Sequence, residues 1–435
     1  MNKKLLSIFG VIMLSLVVLV GCNNANNEKK PAETETKPVE TTETTETEKT
    51  EEKDAPKEEA TITFWHAMGG GQGEALEALV KDFEAANPHV KVNLQGQGNY
   101  GDLNQKLTAT LQSPKDLPTL IQAYPDWVVD LKEANLLVDL KPYTDKMSDF
   151  DDILPRLIDE VKDGDAIYGM PFNKSTEVLW YNKTMLDELG LEVPTNLEEL
   201  EAVSKEIHAK KGIPGVGFDS LSNFYSTYLA NNGSAMGPDL DVTSDVSREA
   251  VEYYKKGIDE GYFRIAGTDK YMSGPFAAEQ VAMYVGSNAG EVFVKDGVNG
   301  AFEYAAAKAP FEKTIQQGTN VYLLDNATDA EKQAAFDFLE YLTSKDAQIK
   351  WATSTGYMPV RQTAIEDAEY TGSESVIPAI LSETTNDLYT NPAVKGSGQA
   401  RRDVDAFLES VFSNPGADIK QELENFKATY ESDFM

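Results

Sequence analysis

An α/β fold in two parts, each built on a mostly parallel sheet, is what this sequence predicts. Three observations carry that expectation. The chain has 435 residues, more than one ordinary domain needs. Its hydrophobic share of 41% suffices for sizeable cores. Short segments alternating with period two are interleaved with segments of helical period, the signature of βαβ units.

The first residues are not part of that pattern. Lys3 and Lys4 precede an apolar run from Leu5 to Val20, then Gly21 and Cys22. A short basic region followed by such a run reads as an export signal. Leu19-Val20-Gly21-Cys22 resembles the bacterial lipobox, which implies cleavage before Cys22 and lipidation of its thiol. An uncleaved N-terminal anchor is the alternative, and either one tethers the protein to the outer face of a membrane. Cys22 is the only cysteine, so no intrachain disulfide forms. From Asn23 to Ala60, Glu, Thr, Lys and Pro dominate, with 12 acidic and 6 basic residues. Such a stretch buries too little apolar surface to offset the entropy of ordering, and reads as an extended acidic tether.

Order begins with a strand at Thr61–Trp65. A glycine-rich turn over Gly69–Gly73 leads into an amphipathic helix carrying Leu76, Leu79, Val80 and Phe83, stopped by Asn87-Pro88. Val90–Leu94 alternates as a second strand. A helix over 101–112 and a third strand at Thr119–Ala123 follow. Met170–Lys183 begins as a tight turn closed by Pro171, passes through the strand formers Val178–Tyr181, and starts a helix at Asn182. Asn173 and Ser175, just before that strand, are placed to face a cleft. Thr195 and Glu198 read as a capping box for a helix to about Lys210. Val216–Phe218, Gln280–Val285 and Val321–Leu324 read as strands, with helices near 220–231 and 247–260. Thr328 and Glu331 cap a long helix with Ala335, Phe338, Leu339 and Leu342 on one face. Helices over 401–413 and 416–431 close the chain.

The chemistry is defined largely by exclusion. A formal charge of −33 disfavours a nucleic-acid partner. The glycine run lacks the Gly-Lys-Ser/Thr ending of a nucleotide loop. The three histidines, His66, His89 and His208, have no metal-ligand spacing. No Gly-x-Ser-x-Gly elbow is present, and Asp239, Asp241 and Asp245 lack the pattern of a calcium loop. No cofactor, metal or catalytic residue is expected. Trp65, Tyr100, Tyr124, Trp127, Trp180 and Tyr357 lie at turns or strand ends and fit either core packing or stacking on a ligand. Arg401-Arg402 fits a surface salt bridge or a phosphate or carboxylate contact.

Several motifs are familiar together. They are Phe64-Trp65-His66-Ala67-Met68, Gly98-Asn99-Tyr100, Pro171-Phe172-Asn173-x-Ser175-Thr176-x-Val178-Leu179-x-Tyr181-Asn182-Lys183 and Thr355-Gly356-Tyr357-Met358-Pro359. Their order and spacing resemble the extracellular solute-binding proteins of ABC importers, and among them the glycerol-3-phosphate-binding branch. The likeness covers nearly all of 61–435. It implies a periplasmic-binding-protein-like fold of two α/β lobes joined by a hinge that the chain crosses repeatedly. One lobe is then 61–174 with 318–360, the other 175–317 with 361–435. It implies a monomeric, lipid-anchored protein that is not an enzyme. Such a protein takes a glycerol-3-phosphate or glycerophosphodiester ligand, or an oligosaccharide, to ABC permease subunits. Carried over by position, Arg401, Ser287, Tyr357 and the Gly318 backbone hold the phosphate, with Tyr100 and Ser175 nearby. Trp180 and Tyr181 go to the core of the second lobe, and Lys174 has no match.

Two positions depart from the family pattern. Pro125 stands where a glutamate accepts hydrogen bonds from glycerol hydroxyls, which leaves Asp126 as the substitute. Leu197 stands where the family has tryptophan, which implies room beyond the glycerol. Both departures fit a longer phosphodiester or an oligosaccharide.

Overall fold

The computed structural model describes residues 58–435 apart from Asn386. The leader 1–22 with Cys22, and the tether as far as residue 57, lie outside the described residues.

Among the described residues, twelve strands and the helices between them form two lobes. The first lobe is built on β1 (Ala60–His66), β2 (Val90–Gly96) and β3 (Leu120–Ala123), with β1 parallel to both others. A two-stranded ribbon, β4 (Lys162–Asp163) and β5 (Ala166–Ile167), precedes the long β6 (Gly169–Asn182). The second lobe holds β7 (Val216–Phe218), β8 (Phe263–Ile265), β9 (Met283–Ser287) and β10 (Tyr304–Lys308), with β7 parallel to β8 and β9. Then come β11 (Thr314–Leu323) and β12 (Leu388–Tyr389).

β6 and β11 join the lobes. β6 pairs antiparallel with β11 through residues 169–176 and with β9 through residues 177–181. β11 pairs with β12 at Thr314 and Ile315 and with β3 at Asn320–Leu323. Between those pairings, Gln316–Thr319 have, among the described residues, a strand neighbour only on the β6 side. The other edge of β11 is open there.

Met170–Asn182 is therefore one continuous strand, where the sequence suggested a turn at Pro171. Proline has no N–H to give a ladder and is tolerated in a strand where the pairing is irregular. The register supplies that irregularity: Thr319 faces Asn173, but Asn320 faces Pro171, so the ladder shifts by one residue beside the proline.

Alternation along β6 sorts its side chains between cores. Leu179 enters a core with Val216, Phe218, Phe224, Val251, Tyr254 and Leu408. Val178 and Trp180 enter another with Phe276, Tyr284, Val294, Met358 and Leu381. Tyr181 is partly buried against the Leu179 core. The first lobe has its own core around Ile62, Phe64, Leu120, Val321, Phe338 and Trp351.

Several local boundaries differ from expectation. The helix Gly70–Ala86 starts inside the glycine run, with Gly70 at φ +54, a conformation open to a residue without Cβ. The helix Leu197–Lys211 is capped by Asn196, whose side chain accepts from Glu199 N at 2.9 Å, not by Thr195 with Glu198. The strand expected from Gln280 starts at Met283, because Gln280 N closes a turn onto Pro275 O at 2.9 Å. The last helices run Ser397–Ser413 and Ile419–Asp433. The Thr328–Glu331 capping box is present as read.

Candidate functional site: a cleft at the open edge of β11

A cleft of about 380 Å³ lies against the unpaired edge of β11. Ile315–Gly318 form its floor. The first lobe contributes Gly101 and Asn104 from the helix Tyr100–Thr110, the turn Tyr124–Trp127 after β3, and Glu160. The second lobe contributes Ser220 and Asn223, Thr390–Ala393, and Gly398, Arg401 and Arg402 from the start of the helix Ser397–Ser413.

Of the residues expected at a ligand, Asp126, Gly318 and Arg401 line this cleft. Tyr100, Ser175, Ser287 and Tyr357 do not line it. Tyr100 and Tyr357 bring their hydroxyls to 3.2 Å, and Asn173 Nδ2 donates to the Tyr100 hydroxyl at 3.2 Å. Thr319 Oγ1 in turn donates to Asn173 Oδ1 at 2.7 Å. Tyr357 stacks on Trp351, with ring centroids 5.5 Å apart. Ser175 is buried on β6, and Ser287 Oγ accepts from Ala289 N at 3.1 Å to cap a short turn. Leu197 packs on the second-lobe core away from the cleft, so its size opens no room there. The N-terminus of the helix Gly70–Ala86 abuts Val292 and Phe293, away from the cleft.

Arg401 has an unusual environment. Its Nε is buried without a hydrogen-bond partner. Among the described residues no carboxylate lies within salt-bridge distance of its guanidinium. Asp405, one turn on, is committed elsewhere: Ser222 N donates to one of its oxygens at 2.6 Å and Ser222 Oγ to the other at 2.8 Å. Burial and then the neighbouring Tyr357 hold the Tyr124 phenol well above its ordinary range, while Arg401 pulls it down. An uncommitted guanidinium at a cleft wall suits a planar or tetrahedral anion.

Tyr124 and Trp127 form the aromatic wall of the cleft, and Tyr100 packs behind them. Tyr100, Tyr124 and Trp127 meet edge to face, with centroids 5.2 Å (Tyr100–Tyr124) and 5.1 Å (Tyr124–Trp127) apart. Trp65 and Trp180 lie in the cores.

Sequence reading missed Glu160, Asn223 and Asn391. None stands in a motif, and each reaches the cleft only through long-range packing. Lys174, unassigned from sequence, is fully buried and pairs with Glu160. Glu177 sits behind Asn223, and burial pushes its carboxyl up to about 8.

Two lobes, a hinge of long strands and a polar cleft between them define a ligand-capturing protein. The chain belongs to the bacterial extracellular solute-binding protein family, which it matches over residues 78–377. It serves an ABC importer. The sn-glycerol-3-phosphate-binding periplasmic protein UgpB of Brucella melitensis is 24% identical over 336 residues, 72% of this chain and 77% of the relative. Two solved structures share the fold. UgpB from Mycobacterium tuberculosis, in complex with glycerophosphocholine, has a TM-score of 0.77 at 22% identity, covering 86% of this chain and 98% of that one. The GacH receptor of Streptomyces glaucescens, solved unliganded and with acarbose, has a TM-score of 0.77 at 20% identity and the same coverage. Among the described residues, no helix is long and apolar enough to cross a membrane.

Proposed function

We propose that this protein captures a glycerophosphoryl compound, glycerol 3-phosphate or one of its diesters, between its lobes and delivers it to an ABC permease. The observation that carries the reading is Arg401, a cleft cation with a buried Nε that no group among the described residues satisfies. In this reading Arg401 and the open backbone edge at Gly318 take the phosphate, helped by Tyr357 and Ser287 once the lobes close. Tyr100 and Ser175 reach the ligand only once the lobes close, and one of the two carboxylates lining the cleft, Asp126 or Glu160, accepts from its hydroxyls. The lobes divide near residues 174, 317 and 360, and ligand contacts on both favour the closed form. The protein acts as a monomer, held at the extracellular face of the cell membrane by a lipid on Cys22.

The UgpB likeness supports this reading at the level of ligand class. Calorimetry with sn-glycerol 3-phosphate, glycerophosphocholine and maltose tests it. A phosphate-bearing ligand is expected to bind, and Arg401→Ala to weaken it by about a hundredfold or more, the weight of a charge-assisted pair. Unchanged affinity in that variant sinks the phosphate assignment. The second reading, a neutral oligosaccharide, is favoured by the Tyr100–Tyr124–Trp127 cluster as a stacking platform and predicts maltose-type binding without phosphate.

A further inference from the structure

Two acidic side chains line the cleft, Asp126 and Glu160, and they differ in how they are held. Asp126 stands in the turn after β3 with its Oδ2 against Gly398, at the start of the helix Ser397–Ser413. There its charge complements the positive end of the helix. Among the described residues it makes no hydrogen bond to a side chain that would fix its orientation.

Glu160 is fixed from below. Its Oε2 pairs with Lys174 Nζ, which is fully buried on β6, and accepts from Asn320 Nδ2 at 3.1 Å. Its Oε1 accepts from Gln316 Nε2, at a long 3.4 Å. Asn320 is itself held by Tyr322, since its Nδ2 donates to the Tyr322 hydroxyl at 3.1 Å. Gln316 begins the open stretch of β11 and Asn320 follows it. The side chain of Glu160 is 12% exposed, and it is a lining group of the cleft. A carboxylate has about four lone-pair positions. Two strong donors occupy Oε2, while one weak donor reaches Oε1. The buried ammonium keeps the charge compensated, so the group does not have to leave the cleft to be solvated.

We propose that Glu160, oriented by Lys174, Asn320 and Gln316, is the carboxylate that accepts hydrogen bonds from the hydroxyls of the bound ligand. It takes the role that sequence reading gave to Asp126. The inference rests on the glycerophosphoryl reading above. It adds that the ligand lies along the open edge of β11, its anionic end at Arg401 and its hydroxyl end at Glu160. The cleft then discriminates by hydroxylation as well as by phosphate. A site built to accept from a hydroxyl rejects an analogue lacking it, because its own polar group is left unpaired.

The test compares sn-glycerol 3-phosphate with n-propyl phosphate, which has the same phosphate and chain length but no hydroxyl. Both are titrated by calorimetry into wild type, E160Q, the double variant E160Q/K174M and D126N. The double variant removes both buried charges together and keeps the test open if E160Q alone folds poorly. Wild type is expected to prefer the hydroxylated ligand by roughly 10- to 100-fold. In the double variant that preference falls to about threefold or less, while propyl phosphate binds as in wild type. A preference that survives in the double variant overturns the inference, as does one that disappears in D126N alone. Neither result touches the phosphate assignment, which stands on propyl phosphate binding and its loss in R401A. Wild type that binds neither phosphate overturns both.

Discussion

Asn223 donates through Nδ2 to Oε1 of Glu177 at 2.9 Å, joining a cleft-lining helix of the second lobe to the strand that crosses the hinge. No cation completes this contact among the described residues. The carboxyls of Asp219 and Asp405 add repulsion to the burial that already favours the protonated form. Burial likewise pushes Asp219 up to about 7.

Stability should therefore fall as pH rises. In the unfolded chain Glu177 ionises near 4.5, and in the fold near 8. Between those values the folded state holds the extra proton, so unfolding becomes easier as pH climbs through the interval. Asp219 acts in the same direction between 3.8 and about 7. Glu177→Gln keeps the Asn223 contact and removes one ionisation. Its Tm is expected to exceed that of wild type by roughly 2–5 °C at pH 8.5 and to match it near pH 4.5. Parallel melting curves across that range refute the assignment.

Gly318 tests the hinge. Its φ is +98, and a Cβ there would stand 2.1 Å from the carbonyl oxygen of Asn173. That obstacle is backbone of the paired strand and cannot rotate away. Gly318→Ala is expected to cost about 3–5 kcal/mol in urea unfolding, a strained positive φ and an overpacking clash each adding about 1–3 kcal/mol. Gly190, also at positive φ but with no atom near its missing Cβ, should lose only about 1 kcal/mol on the same change.

The helix Leu197–Lys211 separates two candidate caps. Asn196 Oδ1 accepts from Glu199 N, while Thr195 N and Oγ1 donate to the Glu199 carboxylate. Asn196→Ala should cost about 1 kcal/mol and Thr195→Ala less, because only Asn196 satisfies a free helix N–H. Thermal melts of the two variants in parallel decide it, and the reverse order refutes it.

Local chemistry made much of this protein legible in its sequence. Period-two and helical periodicities placed most strands and helices, since a face must be apolar to be buried. Thr328 and Glu331 marked their helix start because a capping box acts within four residues. The family resemblance, carried over by position, pointed to Gly318 and Arg401, both of which line the cleft. Other features depended on partners far along the chain. Pro171 reads as a turn until β11 supplies the register shift that lets a strand carry it. Arg401 reads first as a surface ion pair until Ser222 is seen to occupy Asp405. Lys174 and Glu160 are 14 residues apart and in no motif. Only the packing of β6, β11 and the segment before β4 makes them a buried pair at the cleft floor. Sequence by itself determined the lobes' building blocks and the family, because those follow from short-range patterns. Tertiary structure decided which polar groups are left without a protein partner, because that depends on every neighbour a side chain meets in space.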